Sequence, residues 1–357
     1  MPAAATPGWR RREVTAMPHP SHGVPDADPA SWVDAEAFRQ DIMQACRPAV
    51  LRGAFRDWAS VRAAQASPAG LADYLRRFAT SVPAQAFVGD PAIAGRYYYA
   101  EGLSGFNFER QDTTLLAAID RILASAATPG SQTIYVGSLP AQTYLPGFAQ
   151  ENRAPMLPHH IDPRIWIGNA SNVACHYDTF DNLAVVVAGQ RRFTLYPPGA
   201  VASLYVGPLD NNMAGPPVGL ADGSEPGDQR YPAFERVRDQ ALQVDLEPGD
   251  ALYLPKLWWH RVEATAPFNL LINYWWDGFA AGPDAPNTAM LLAMIAIAER
   301  PAPERAAWRA FFDHYVFRPN GHPLAHLPES KHGMLGPIAG GGYGRIRSHI
   351  MRLLRGD

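Results

Sequence analysis

Lysine is nearly absent from this chain. Of its 31 basic residues only Lys256 and Lys331 are lysines, and the rest are arginines. Codon bias in a GC-rich genome accounts for most of this, because alanine, proline and glycine are abundant as well. Cysteine is as scarce. Cys46 and Cys175 are too few for a disulfide framework or a cysteine-based metal site, and a reducing cytoplasm is the default setting. Charge is thin: 18% of residues are charged, against about 25% in an average domain. The formal net charge is −3. A slightly acidic chain with scattered arginines argues against nucleic acid as a partner. Long apolar runs are missing too. The longest, Ala289 to Ala298, falls well short of the ~20 residues that a membrane-crossing helix takes. Arg10-Arg11-Arg12 resembles the start of a twin-arginine export signal, but no apolar stretch follows it.

What is present is a chain of 357 residues with 47% hydrophobic composition, long enough to build a core without staples. Residues 1–28 carry Pro, Gly, His and Arg without periodicity and read as a flexible tail. Ser31 reads as the cap of a helix reaching Cys46, with Trp32, Ala35, Phe38, Ile42 and Ala45 on one stripe. Residues 47–53 read as a short strand, and 71–79 and 112–126 as helices. From about 132 the pattern becomes short β-type runs between turns. These are 133–136, 165–167, 174–177, 183–187, 192–196, 251–254 and 269–276. The run 183–187 is continuously apolar, as in a strand buried on both faces. Residues 207–232 form a long Gly/Pro/Asp/Asn-rich loop, read as a lid or surface excursion. After Gly282 helices return at about 287–299, 303–315 and 345–354. Many short strands with frequent turns suggest a sandwich or barrel.

The chemistry concentrates in His176-Tyr177-Asp178. On a strand, residues i and i+2 share a face, so His176 and Asp178 can offer an imidazole and a carboxylate to one point. His260 follows a Pro-containing turn in Leu254-Pro-Lys-Leu-Trp-Trp-His260. Two histidines and one carboxylate form a facial set that leaves positions open and suits non-haem Fe(II). Zinc can use the same three ligands in a hydrolytic site.

Three segments, HYDTFDNLAVVVAGQRRFTLYPP (176–198), YLPKLWWHRVE (253–263) and NLLINYWWDG (269–278), resemble the JmjC/cupin-like dioxygenases. The branch they are most similar to is that of the asparaginyl hydroxylase that inhibits hypoxia-inducible factor, with its bacterial relatives. RPAVLRGAFRDW (47–58) resembles the start of that family's domain. The resemblance covers roughly residues 30–280. It implies a double-stranded β-helix (jelly-roll) core at about 132–278 within a domain spanning 29–282, an N-terminal α/β elaboration, and a C-terminal helical region, 283–357. It also implies Fe(II), with 2-oxoglutarate as co-substrate. Position by position, His176, Asp178 and His260 match the iron ligands. Asn182 and Asn273 match polar residues at the metal end of the co-substrate, and Tyr135 a tyrosine that bonds its distal carboxylate. Arg191 stands where the hydroxylase has a lysine paired with that carboxylate, and Val173 where it has a hydroxyl. An arginine fork can hold a carboxylate bidentately, but it is larger than an ammonium and not interchangeable with it at a shaped site. A register shift of one would put Arg192 in the role of Arg191.

The expected function is therefore Fe(II)- and 2-oxoglutarate-dependent oxygenation, a hydroxylation of a protein, peptide or small-molecule substrate. Two alternatives stay open: a metal-dependent cupin enzyme that does not use 2-oxoglutarate, and a non-catalytic module that binds a small acid or a peptide. Tyr135 reads equally well as a packing aromatic, Tyr177 as an exposed strand residue, and His159-His160 as a loop pair. Lys256 reads as part of a solvated turn. The apolar C-terminal helices, with Leu291, Leu292, Ile295, Trp308, Phe311 and Phe312, suggest homodimerisation.

Overall fold

The computed structural model describes residues 23–355 apart from 129, 211–214, 216, 281, 283 and 339–341. The chain divides into two compact units, with the boundary between Trp276 and Asp277.

Among the described residues the first unit is built on thirteen strands. They are β1 (Ala49–Leu51), β2 (Pro83–Gly89), β3 (Arg96–Tyr97), β4 (Phe108–Thr114), β5 (Thr133–Pro140), β6 (Arg164–Gly168) and β7 (Ser171–Tyr177). Then follow β8 (Asp181–Ala188), β9 (Arg191–Tyr196), β10 (Leu242–Leu246), β11 (Ala251–Leu254), β12 (Trp259–Ala264) and β13 (Asn269–Trp276). Eight of them form one sheet in the order β1-β11-β8-β13-β6-β5-β2-β4, and five form a second, β10-β9-β12-β7-β3. Ala184, Val186, Leu252, Leu254 and Leu271 from the larger sheet meet Phe193, Leu195, Val244 and Leu246 from the smaller one. This is the jelly-roll core, two antiparallel sheets closed over one apolar layer.

The period-2 alternation of β8 explains its unbroken apolar run. Ala184 and Val186 enter the space between the sheets, while Leu183, Val185 and Val187 face a helical layer on the other side. That layer comes from helices Pro68–Arg76 and Leu115–Ala126, which contribute Leu71, Leu75, Leu115, Ile119 and Ile122. A strand covered on both faces needs no polar residues, so none appear between 183 and 187.

Several local expectations are corrected. The segment read as a tail through residue 28 is already docked by Gly23: Gly23 bridges Gln243, Asp26 bridges Val50, and Val24 is buried. Residues 1–22 lie outside the described residues. The helix expected from Ser31 to Cys46 is broken into short helical turns. Asp28 and Asp34 do the capping, Asp34 accepting from the backbone of Glu36 and Ala37 at 2.9 Å. These aspartates are stronger N-terminal acceptors than Ser31 because they carry full charge. Residues 112–114 belong to β4, and the helix begins at Leu115 behind the Thr114 cap. The loop at 207–232 is partly ordered into the sheet edge, with Val218 bridging His176 and Gly219 bridging Val206.

The second unit holds helices Pro286–Ile297, Ala302–Phe312 and Tyr343–Arg355. None of the three buries a residue within the chain. Ile295 is 82% exposed and Phe317 69%. Among the described residues no helix is long and apolar enough to cross a membrane.

Asn169 locks the β6–β7 turn to three other segments. Its Oδ1 accepts from Ile134 N at 2.9 Å, and its Nδ2 donates to Ser125 Oγ at 2.8 Å, Pro267 O at 3.2 Å and Ile122 O at 3.3 Å. Asn169→Ala leaves buried groups without partners and is expected to cost about 2–3 kcal/mol. Urea denaturation of the variant beside wild type checks this.

Candidate metal and co-substrate site

The site begins with strand pairing. β7 and β12 run antiparallel with His176 directly opposite His260, and Tyr177 opposite Trp259. Cross-strand partners share a face, so both imidazoles enter the space between the sheets. Tyr177 and Trp259 pack on the reverse face, ring centroids 4.8 Å apart. That settles Tyr177 as a packing residue. A bulge between His260 and Val262 bends β12 just past its histidine, as bulges do where a side chain must be aimed. Asp178 lies one residue beyond the end of β7, where its backbone carbonyl accepts from Leu257 N at 2.8 Å.

The candidate ligand atoms of His176, Asp178 and His260 all lie within 4.8 Å of one another. His260 Nε2 is 3.7 Å from Asp178 Oδ2. Each histidine uses its other nitrogen on the backbone two residues earlier: His176 Nδ1 to Ala174 O at 2.8 Å, His260 Nδ1 to Trp258 O at 3.0 Å. A carbonyl only accepts, so Nδ1 carries the proton in both rings and Nε2 presents its lone pair. Burial, and then the neighbouring His176, push His260 well below its ordinary value of 6.5. Burial raises Asp178, while His176 and the nearby Trp275 indole N–H draw it back down. That N–H makes no hydrogen bond of good geometry, so its effect on Asp178 is a weak one. Two imidazoles tied to the backbone through Nδ1 and one carboxylate, converging from one side, fit a divalent metal with positions left open.

The three ligands sit in a cavity of about 210 Å³ that also takes in Tyr135, Asn182, Arg191 and Asn273. The register of β9 decides between the two arginines. Arg191 points inward and is 4% exposed. Arg192 points outward and pairs with Asp245 at 2.8 Å. Arg191 has no carboxylate partner among the described residues, and its buried Nε has no hydrogen-bond partner at all. Burial lowers it to about 10, with Tyr135 the one opposing influence. A buried guanidinium without an acid costs several kcal/mol, a cost that an acidic ligand in the cavity would offset. Tyr135 is buried too and lies within electrostatic reach of Arg191, although burial alone pushes its phenol far up.

The two asparagines are linked. Trp166 Nε1 donates to Asn273 Oδ1 at 2.6 Å, and Asn273 Nδ2 donates to Asn182 Oδ1 at 3.1 Å. Asn273 is thereby satisfied, and Asn182 is oriented with its amide nitrogen left for the cavity it lines. Val173 also lines the cavity and offers no hydrogen bond there.

Lys256 is not in a solvated turn. It lies 3.4 Å from Asp181, whose carboxylate is almost fully buried. The same carboxylate accepts from Tyr253 at 3.3 Å and Lys256 N at 3.4 Å. His159 and His160 are exposed, away from the cluster.

With this geometry in view, the comparisons with known proteins are direct. Residues 35–282 match the Cupin-like domain family. The chain belongs to that family. Among curated proteins it is 33% identical over 121 residues to Jumonji C domain-containing protein 5 of Drosophila melanogaster, covering 34% of this chain and 29% of the relative. It is 33% identical over 118 residues to HSPB1-associated protein 1 homolog of Danio rerio, covering 32% and 25%. With tRNA wybutosine-synthesizing protein 5 of Gallus gallus it shares 33% over 106 residues, 30% of each chain. The aligned stretches span about a quarter to a third of these relatives. The chain is thus a cupin-like protein, similar over these stretches to proteins that include one named for the Jumonji C domain.

Sequence reasoning missed the aromatic wall of the cavity, Phe87, Tyr97 and Phe108. They come from β2, β3 and β4, none of which was foreseen. It also missed Val218, delivered by the long loop, and Arg164, which holds the β5 bulge through Ser138 Oγ at 2.8 Å and Ser138 O at 2.7 Å.

The neutral burial of His260 has a measurable consequence. Above pH 6.5 both folded and unfolded chains keep this residue neutral. Below it the unfolded chain takes up a proton that the folded, metal-free chain refuses. The stability is therefore full above the ordinary value and is lost as pH falls, by at most ~1.4 kcal/mol per pH unit from this one group. Denaturation of metal-free protein between about pH 7.5 and 5 measures it, and His260→Asn is expected to flatten the slope.

Proposed function

We propose that this cupin-like protein is an Fe(II)- and 2-oxoglutarate-dependent oxygenase, acting as a hydroxylase of a protein side chain or a small molecule. The observation that carries the reading is the pairing, in one small cavity, of a facial His-Asp-His set with a buried arginine that has no acid of its own. In this reading His176, Asp178 and His260 hold the metal from one side. Arg191, aided by Tyr135, takes the distal carboxylate of the co-substrate. Asn182, braced by Asn273 and Trp166, orients the carboxylate nearer the metal. The apolar walls, Val173, Val218, Phe193 and Leu271, exclude water from the reacting centre. Iron bound there supplies dioxygen activation, with 2-oxoglutarate oxidised to succinate and carbon dioxide as one oxygen atom enters a substrate C–H bond.

The relatives' names do not converge on a substrate. One is a lysine-specific demethylase from Arabidopsis thaliana and another acts in wybutosine synthesis. Val173 favours one rival, in which the cavity holds an acid other than 2-oxoglutarate, because the hydroxyl expected at this position is missing. Anaerobic addition of 2-oxoglutarate to the Fe(II)-loaded protein separates the readings. A weak visible charge-transfer band is expected. Iron that binds without producing the band would favour the rival, and a chain that binds no iron would be a non-catalytic module. His176→Ala is the control. Arg191→Lys is expected to weaken 2-oxoglutarate binding about tenfold or more, because an ammonium cannot reproduce the guanidinium fork. Tighter binding by the lysine variant would sink the assignment of Arg191 as a shaped carboxylate fork.

The exposed apolar side chains of the C-terminal helices, among them Met290, Leu291, Ile295 and Phe311, support a homodimer formed through that unit. Leaving so many contiguous apolar groups in water is costly. Sedimentation equilibrium is expected to give a dimer, converted to monomer by Leu291→Asp with Ile295→Asp. A monomer at all concentrations of the wild type would remove the proposal.

A further inference from the structure

A second cavity, of about 310 Å³, lies outside the metal site. Its lining includes Arg96, Tyr98, Asp222, Glu225, Arg230 and Tyr231, with Asp228 beside Arg230. The charges there sort into pairs, with two exceptions. Asp222 is buried and accepts from Arg261 Nη1 at 3.1 and 3.2 Å, and from Tyr196 Oη at 3.1 Å. Asp228 is gripped by Arg230 through Nε at 3.0 Å and Nη2 at 2.7 Å. Arg96 and Glu225 remain. Neither side chain makes an ion pair within 4.0 Å among the described residues, with each other or with a third group. Glu225 lies within electrostatic reach of Arg238, which is itself paired with Glu235 at 2.8 Å.

The Arg96 guanidinium is held rather than free to wander. It lies over the Tyr98 ring, 5.0 Å from its centroid, and the Tyr98 hydroxyl bonds Leu220 O at 3.4 Å. Gly223 leaves open the space in front of it. A Cβ at Gly223 would sit 3.8 Å from Arg96 Nη2 and 3.7 Å from Arg261 Nη1, so both guanidiniums flank the spot that glycine leaves without a side chain. On the other side Tyr231 is braced by Arg230, 5.3 Å over its ring, and by Tyr205 at 5.1 Å. The Tyr231 phenol lies close enough to oppose ionisation of Tyr98, second to the effect of burial. The cavity is thus a polar cleft with two braced aromatic walls, one cation and one anion that make no ion-pair contact among the described residues.

We propose that this cleft is a second ligand site, for a small zwitterion of the α-amino-acid class. Its carboxylate pairs with Arg96 beside Gly223, its ammonium with Glu225, and its side chain lies against Tyr98 and Tyr231. A simple anion would leave Glu225 opposing it, and a simple cation would leave Arg96 opposing it. Only a ligand carrying both charges matches both. The site adjoins the metal centre through the chain itself. Arg261 follows His260, and Leu220 is two residues from Val218, which walls the first cavity and bridges His176.

Isothermal titration of the full chain with L-phenylalanine and with L-leucine tests the proposal, with 3-phenylpropionate and phenethylamine as singly signed comparisons. Binding of at least one amino acid is expected, tighter than either comparison. Arg96→Gln and Glu225→Gln should each weaken it about tenfold or more, with unchanged melting temperatures. Both residues are exposed, so neither change threatens the fold. 3-Phenylpropionate binding as tightly as L-phenylalanine, indifference to Glu225→Gln, or no amino-acid binding up to millimolar concentration would each overturn it.

Discussion

The pairing of β7 with β12 is the constraint on which the site depends. His176 and His260 are distant in sequence and become neighbours only because this antiparallel register places them opposite each other. A slip of one residue in either strand would turn its imidazole out to the face now occupied by Tyr177 and Trp259. That outer face is apolar and packed against Cys175, Tyr196 and Phe234, so the wrong register would bury histidines in an apolar layer and expose aromatics to the cavity. Hydrophobic patterning therefore holds the candidate metal ligands in place. The backbone carbonyls of Ala174 and Trp258 then set the tautomer of each ring.

The same logic extends around the cavity. Arg191 and Arg192 are adjacent, chemically identical and opposite in fate. One is buried without an acid, and the other lies on the surface beside Asp245. The scarcity of lysine explains why an arginine occupies the surface position, where either cation would serve. It does not explain Arg191, because a buried guanidinium is tolerated only if a ligand or a fixed geometry compensates its lost hydration. Asn273 and Trp166 illustrate the converse. Their polar groups are satisfied within the chain, which leaves Asn182 as the asparagine with a free donor.

Much of this was legible in the residues. The β character of 132–278, the doubly buried strand at 183–187 and the His-x-Asp…His set all follow from alternation and spacing. The helical stretch at 31–46 was misread because its apolar stripe concealed two aspartate caps. Neither β2 nor β4 is legible locally: β4 is largely polar and only partly buried, and the buried positions of β2 include the alanines Ala84 and Ala86, with Val88. Lys256 was placed in solvent because nothing local reveals that Asp181 waits beneath it.

The sequence by itself determined the chemistry on offer: two imidazoles, one carboxylate and a cation in the right order, on segments with strand periodicity. Those are properties of residue type and local spacing. Tertiary structure decided which groups meet. It chose Arg191 over Arg192, linked Asn273 to Asn182, brought Val218 from a loop to the cavity wall, and left Arg96 and Glu225 in a second cleft without an ion pair among the described residues. Such outcomes depend on strand register and long-range packing, where a shift of one residue reverses a side chain's face.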